Sequence, residues 1–296
     1  MTTPTLIPLN ALGVLRAHGD DRQSYLQGQL TCDLVKLDPT QWHFGGHCDP
    51  KGKLIAAFRW LHSNDEILML MPSSLIPLEQ AALGKYAVFN KVEFVDASAD
   101  YQCFALLNGQ ALLADWSGSG NLRQQGRISA LLDGERALLL LPQGVELPES
   151  LAQLAQSEQA AFIASELEAG RPWFEAEHTG EFVPQMVNLD AIGGVQYDKG
   201  CYIGQETVAR MHFRGGNKRA LYVLQGAATD GDTLEMQLGD NWRRAGTIVA
   251  KQLVGEQIWL TAIMNKALEP DTAFRLGDTP LTLAPLPYAL FSTETK

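Results

Sequence analysis

The sequence predicts an α+β protein that ends in a small all-β unit. Three observations carry that expectation. At 296 residues the chain exceeds what one compact core usually organises, so two or three domains are expected. Strand-like and helix-like segments alternate through residue 215. After Gly216 only short β-type runs follow, closely spaced and divided by turn residues, which is the pattern of an antiparallel barrel or sandwich. The boundaries drawn on this basis are 1–215 for the α+β region and 216–296 for the barrel.

The elements follow in order. "LGVLRAHG" (Leu12 to Gly19) is a strand, and Asp20 or Asp21 is a natural cap for a helix in which Tyr25, Leu26 and Leu30 recur at helical spacing. "WHFGGHC" and "LIAAFRWLH" flank the turn "DPKGK", where Asp49-Pro50 opens and Gly52 closes a hairpin. "ILMLM" is a further strand, and Pro72 to Phe89 has a helical pattern that starts at a serine cap. "KVEFVDAS", "CFALLNG" and "ALLLLP" read as strands and "WSGSGNLRQQG" as a loop. Leu147 to Gly170 reads as helix, closed by its glycine. Beyond Gly216, "RALYVLQG", "TLEMQLG", "RAGTIVAKQLV", "QIWLTAIM", "AFRLGD" and "LTLAPLPYAL" supply the β-type runs.

Composition narrows the function classes. Hydrophobic residues are 46% and charged residues 19%, ordinary for a soluble globular chain. No run of eighteen apolar residues suggests a membrane span, and "MTTPTLIPLN" lacks the basic and apolar regions of a secretory signal, so a cytoplasmic location is expected. Cys32, Cys48, Cys103 and Cys201 lie far apart, as free thiols would in a reducing compartment. With 23 Lys and Arg against 34 Asp and Glu, the net charge is −11. That disfavours general nucleic-acid binding and leaves only a local basic patch open. The P-loop, the dinucleotide fingerprint, the nucleophile elbow and H-E-x-x-H are all missing. In "HFGGHC", His43 and His47 share one strand face and Cys48 takes the other, so these residues beside Asp49 do not converge on a metal.

"DKGCYIGQETVARMHFRGG" (Asp198 to Gly216) is the densest signal. Lys199-Gly200 reads as a turn and the residues from Cys201 onward as a helix or bent strand. A cation and a helix N-terminus both favour a thiolate, so Cys201 is either a nucleophilic or redox-sensitive thiol or an ordinary buried cysteine. No adjacent histidine offers itself as a base. Arg210, His212, Arg214, Lys218 and Arg219 then surround Gly215-Gly216, where an anion can approach the backbone. A polyglutamate tail, a phosphate and an RNA backbone are the candidate anions, and a solvated face is the plain alternative.

"KGCYIGQE" (Lys199 to Glu206) resembles the K-G-C-[aromatic]-x-G-Q-E signature of the YgfZ family of folate-binding, tRNA-modifying proteins. These are relatives of the T-protein, the aminomethyltransferase of the glycine cleavage system. "YLQGQLTCD", "HCDPKGK", "KYAVFNKV", "FVPQMVNLDAIGG", "FRGGNKRAL", "NWRRAGTI" and "PLPYAL" resemble further family segments in the same order, so the likeness covers nearly the whole chain. It implies a T-protein-like three-domain ring around a central channel, with two intertwined α+β subdomains before a C-terminal antiparallel β-barrel. It also implies folate, a tetrahydrofolate derivative, in that channel. Phe162, eight positions before Gly170, falls where relatives place a ring to stack on the pterin. Leu12 falls where they often carry Trp, and would leave an apolar wall. Tyr202, Gln205, Glu206 and Arg214 are further folate candidates, with Cys201 and Lys199 as the functional pair.

The T-protein carries an acidic pair, roughly G-G-I-x-D-D, in the strand after a turn. The matching stretch here, "KGKLIAAFRW", has Ala56-Ala57. A methyl group neither holds a proton nor stabilises a developing cation, so aminomethyl transfer is not expected. The resemblance then implies a folate-binding accessory protein supporting iron–sulfur enzymes, including those that methylthiolate tRNA, with Cys201 as the working thiol. Its partners would be iron–sulfur enzymes or assembly proteins, with an indirect link to tRNA and none to a membrane. The alternative is a folate-dependent one-carbon transferase with rearranged catalytic groups. Direct tRNA binding through Arg210 to Arg219 fits the patch but not the total charge.

Overall fold

Continuous apolar runs such as Leu68–Met71 and Leu138–Leu141 are buried at every position, so each must lie inside a sheet covered on both faces. The computed structural model, which describes residues 3–269 and 271–290, places them in two different sheets. The strands before the barrel are β1 (Thr5–Pro8), β2 (Leu12–His18), β3 (His43–Cys48), β4 (Leu54–Ser63), β5 (Glu66–Pro72), β6 (Glu93–Asp96), β7 (Tyr101–Leu107), β8 (Leu122–Gln125), β9 (Ile128–Asp133), β10 (Arg136–Pro142) and β11 (Ala155–Gln156). The helices are α1 (Arg22–Gln27), α2 (Ile76–Gly84), α3 (Glu149–Ala152), α4 (Gln159–Glu168) and α5 (Gln205–Phe213).

One sheet has the order β3-β4-β5-β2-β6 and the other β11-β1-β7-β10-β9-β8. The chain therefore starts in the second sheet, leaves for the first, and returns at β7. Thr5 pairs with Leu107 on one side and with Ala155, in parallel, on the other. The two sheets are interwoven through β1.

The last part contains β12 (Arg219–Ala227), β13 (Leu234–Leu238), β14 (Asn241–Arg244), β15 (Gly246–Val254), β16 (Gln257–Asn265), β17 (Phe274–Leu276) and β18 (Thr279–Ala284). They form one antiparallel sheet in the order β14-β13-β17-β18-β12-β16-β15, bulged between Ile248 and Ala250. Leu221, Val249 and Ile263 from this sheet join the same buried cluster as Leu12, Ala57 and Phe162. No helix among the described residues is long and apolar enough to cross a membrane.

Three stretches differ from the sequence reading. The helix expected over Pro72 to Phe89 begins with a separate turn at Ser73–Leu75 and stops at Gly84. Ser74 bonds to Glu175 instead of capping, and the Tyr25 hydroxyl donates to the Leu83 carbonyl at 2.5 Å, occupying an acceptor of the last turn. The helix expected over Leu147 to Gly170 is broken, because Ala155 and Gln156 are recruited as β11 beside β1, a tertiary contact that overrides helix propensity. Its second half, α4, does close at Gly170, which adopts φ +61° and returns its N–H to Leu167. The loop expected at "WSGSGNLRQQG" contains β8, whose Leu122 is buried against Leu131 of β9.

The β3–β4 hairpin meets the segment that follows Cys201. Asp49 Oδ1 accepts from the backbone N–H groups of Lys51 (2.8 Å) and Lys53 (2.9 Å), fixing the turn. Gly52 and Gly204 both have positive φ, +77° and +81°. A Cβ on Gly204 would lie 2.6 Å from the Asp49 carbonyl oxygen, and one on Gly52 would lie 2.7 Å from Thr207. Two glycines thus let the hairpin tip dock on the start of α5.

Candidate functional site

The Lys199–Glu206 segment is nailed down from below. Lys199 is buried, and its ammonium donates to the carbonyl oxygens of Gln27 (2.8 Å), Leu30 (2.8 Å) and Cys32 (2.7 Å). It also stands 5.1 Å from the centre of the buried Tyr202 ring. Burial pulls the lysine pKa down to about 8, against the nearby Cys32 and Asp33. Only the protonated form can fill all three carbonyls. The Ile203 N–H bonds to the Gly28 carbonyl oxygen (3.2 Å), adding a backbone tie to the same region.

With Lys199 and Tyr202 turned inward, Cys201 is left exposed. Its helix starts four residues later at Gln205, with Gly204 as the cap. The cation expected to activate the thiol is therefore committed to the Gln27–Cys32 loop. Gln205 is half-buried, while Glu206 and Arg214 are exposed at opposite ends of α5. The other cysteines differ: burial raises the Cys48 and Cys103 thiols, and raises Cys32 to about 12 despite Lys199.

A second locus gathers Leu12 with Ala57. They line a cleft together with Phe44, Arg59, Glu166, Arg171 and Trp173. In its present form the cleft has a volume of about 20 Å³, room for one water, so a pterin enters only if side chains move. Phe162, 1% exposed, does not offer a face to this cleft. Its ring meets Trp173 edge-on, with centroids 5.8 Å apart, and supports that indole from behind. Trp173 lines the cleft together with Phe44 and Phe58, and none of the three was expected there from the sequence.

A charged cluster closes the cleft. Arg59 binds Glu166 (2.8 Å) and Asp133 (3.1 Å), and Arg136 binds the same two carboxylates (3.1 and 2.8 Å). Arg171 adds a bidentate contact to Asp133, with its Nε at 2.9 Å. Arg59 and Arg171 also lie over the Phe44 ring, at 5.0 and 5.2 Å. Burial alone would raise the Asp133 pKa, but the three guanidinium groups overcome it and hold it at about 2. No residue of Lys199–Glu206 lines the cleft. The two loci are joined by the hairpin: Gly52 touches the Cys201 segment and Ala57 the cleft, about 16 Å apart along the strand.

The histidines of "HFGGHC" serve separate neighbours. His47 Nδ1 lies 3.1 Å from the buried Glu79 carboxylate and His43 Nε2 lies 2.8 Å from the Asp38 carbonyl oxygen.

Comparison with known proteins agrees with this architecture. Residues 217–279 match the family model described as YgfZ, beta-barrel domain. The tRNA-modifying protein YgfZ of Photobacterium profundum is 39% identical over 96% of this chain and 92% of its own. The chain belongs to the YgfZ family. The tRNA-modifying protein YgfZ of Serratia proteamaculans is 36% identical, covering 97% of this chain and 93% of its own. The crystal structure of glycine cleavage system aminomethyltransferase T from Bartonella henselae superposes with a TM-score of 0.70. It covers 97% of this chain and 86% of its own at 15% identity, which establishes the T-protein-like fold. Within this YgfZ-family framework, Ala57 is a wall of the cleft and Cys201 an exposed residue on a rigid loop.

Proposed function

We propose that this YgfZ-family chain is a cytoplasmic folate-binding accessory protein that supports iron–sulfur enzymes, including those that methylthiolate tRNA. In this reading Cys201 is the working thiol. The pterin of a tetrahydrofolate enters the cleft beside Trp173 and Leu12, with Phe162 buttressing the indole. The observation that carries the reading is Ala57 in the cleft wall, where a T-protein-type catalyst needs an acid.

The one-carbon transferase alternative would have to recruit Glu166, the carboxylate among the described lining residues. Its oxygens are engaged by Arg59 and Arg136 at 2.8–3.1 Å, which leaves it badly placed to take a proton from a substrate. What remains is a folate site without a free acid and a thiol displayed elsewhere.

The test is complementation of a strain lacking its own family member, read as methylthiolated nucleoside in total tRNA by mass spectrometry. Cys201→Ser should fold and bind folate yet fail to restore the modification. Full restoration by that variant would sink the thiol assignment. Release of methylene-folate from an aminomethyl carrier by the purified protein would support the transferase instead.

A further inference from the structure

Six cations at one end of the molecule share an unusual condition. Arg210, Arg214, Lys218, Arg219, Arg243 and Arg244 are exposed, and none has an ion-pair partner among the described residues. Elsewhere Arg16, Arg22, Lys36, Lys91, Lys251 and Arg275 each sit beside a carboxylate, while Lys51, Lys85 and Arg127 are exposed and isolated from one another in sequence. Glu206 stands at the far end of α5, away from Arg214.

Strand register brings Arg219 and Arg244 to one end of the sheet. Arg219 is paired with Asn265, Ala220 with Met264, and Met264 in turn with Gly246. Arg219 and Arg244 therefore emerge from the same end of the C-terminal sheet, about 10–15 Å apart. The Lys266 N–H bonds to the Lys218 carbonyl oxygen at 2.8 Å, fixing the 217–219 segment to that end. Asn217 Nδ2 donates to the Gln185 carbonyl oxygen (3.2 Å) and Gln185 Nε2 donates to the Val208 carbonyl oxygen (2.7 Å), so the segment leading into β12 packs beside α5, which carries Arg210 and is followed by Arg214.

An aromatic platform lies at the end of α5, between Arg210 and Arg214 in the chain. His212 stacks on Tyr197, with centroids 3.7 Å apart and planes 16° off parallel. Phe213 meets His212 edge-on at 4.9 Å and is 68% exposed. An exposed ring braced by a stack, flanked by guanidinium groups and by the open backbone of Gly215-Gly216, suits a nucleobase with phosphates on either side. Arginine predominates among the six, and its planar fork matches phosphate. An acidic protein face would use the charges but would leave the ring without a purpose.

We propose that this end of the molecule binds single-stranded RNA, with the arginines on phosphates and Phe213 under a base. The rest of the acidic surface repels the polyanion and confines it to this end. This surface includes none of the cleft residues and does not depend on the Cys201 assignment.

The test is fluorescence anisotropy of the whole protein with a labelled, unstructured RNA of about 12 nucleotides, from about 50 to 200 mM salt. Four phosphate contacts predict a slope of about −3 in log affinity against log salt. The double variant Arg243→Glu, Arg244→Glu should lose at least about tenfold in affinity and flatten the slope by about 1.4. Arg214→Glu with Lys218→Glu serves as an independent pair with the same expectation. Phe213→Ala should weaken binding about tenfold at an unchanged slope. The proposal fails if RNA shows no saturable binding at low salt, or if all variants bind as wild type does. It also fails if polyglutamate displaces the RNA as well as unlabelled RNA does while Phe213→Ala has no effect, which would assign the surface to an acidic protein. Folate calorimetry on the Arg243→Glu, Arg244→Glu and Phe213→Ala variants should match wild type, so failure here leaves the folate and thiol reading standing.

Discussion

Replacing Lys199 by methionine separates two roles that a lysine two residues from the exposed Cys201 could have. The ammonium makes three hydrogen bonds of 2.7–2.8 Å to otherwise orphaned carbonyls. Hydrogen bonds to a charged group are each worth about 1.5–3 kcal/mol, and recovering the cost of burying the ammonium offsets part of that sum. The net loss expected for Lys199→Met is about 3 kcal/mol, lowering Tm by about 5–10 °C in a chain of this size. Denaturant unfolding and calorimetry read this directly. The second readout is the alkylation rate of Cys201 by iodoacetamide. If Lys199 acts only as a tie, the rate holds or rises as the loop loosens. A tenfold fall in alkylation with unchanged stability would refute the structural assignment and make Lys199 the activator of the thiol.

Three further outcomes follow from the cleft. Asp133 has its pKa lowered from 3.8 to about 2, so it stabilises the native state above pH 3.8 and that stabilisation disappears as pH falls to 2. The shift corresponds to about 2.5 kcal/mol, and Asp133→Asn should lack this part of the acid-unfolding curve while being less stable at pH 7. Trp173→Ala should weaken folate binding in calorimetry by more than about tenfold, since stacked aromatic contacts and buried area are both lost; unchanged affinity would move the folate site elsewhere. Ala57→Asp should destabilise the protein by about 2 kcal/mol, because the new carboxylate is buried beside guanidinium groups already committed to Asp133 and Glu166, and should confer no methylene-folate production.

Much of this was legible in the chain. The hairpin around Asp49 to Gly52 was readable because its turn chemistry is local, and α4 ended at Gly170 for the same reason. Ala56-Ala57 and the Lys199–Glu206 motif were visible as residue types at fixed spacing. What escaped depended on contacts between distant segments. Ala155-Gln156 became a strand only because β1 lay beside it, 150 residues away in sequence. Lys199 seemed an activating cation because its carbonyl cage, Gln27 to Cys32, comes from the other end of the chain. Trp173 carried no motif, and Phe162 lies buried behind the indole instead of lining the cleft. The separation of Cys201 from the cleft is likewise a property of the hairpin's length and not of any local pattern.

That separation is the most exposed part of the account. It is tested by measuring the Cys201 alkylation rate with and without saturating tetrahydrofolate. A cleft that no residue of Lys199–Glu206 lines predicts the same rate at every folate concentration. Protection of the thiol that tracks the folate saturation curve would contradict the account and place Cys201 in the folate site itself.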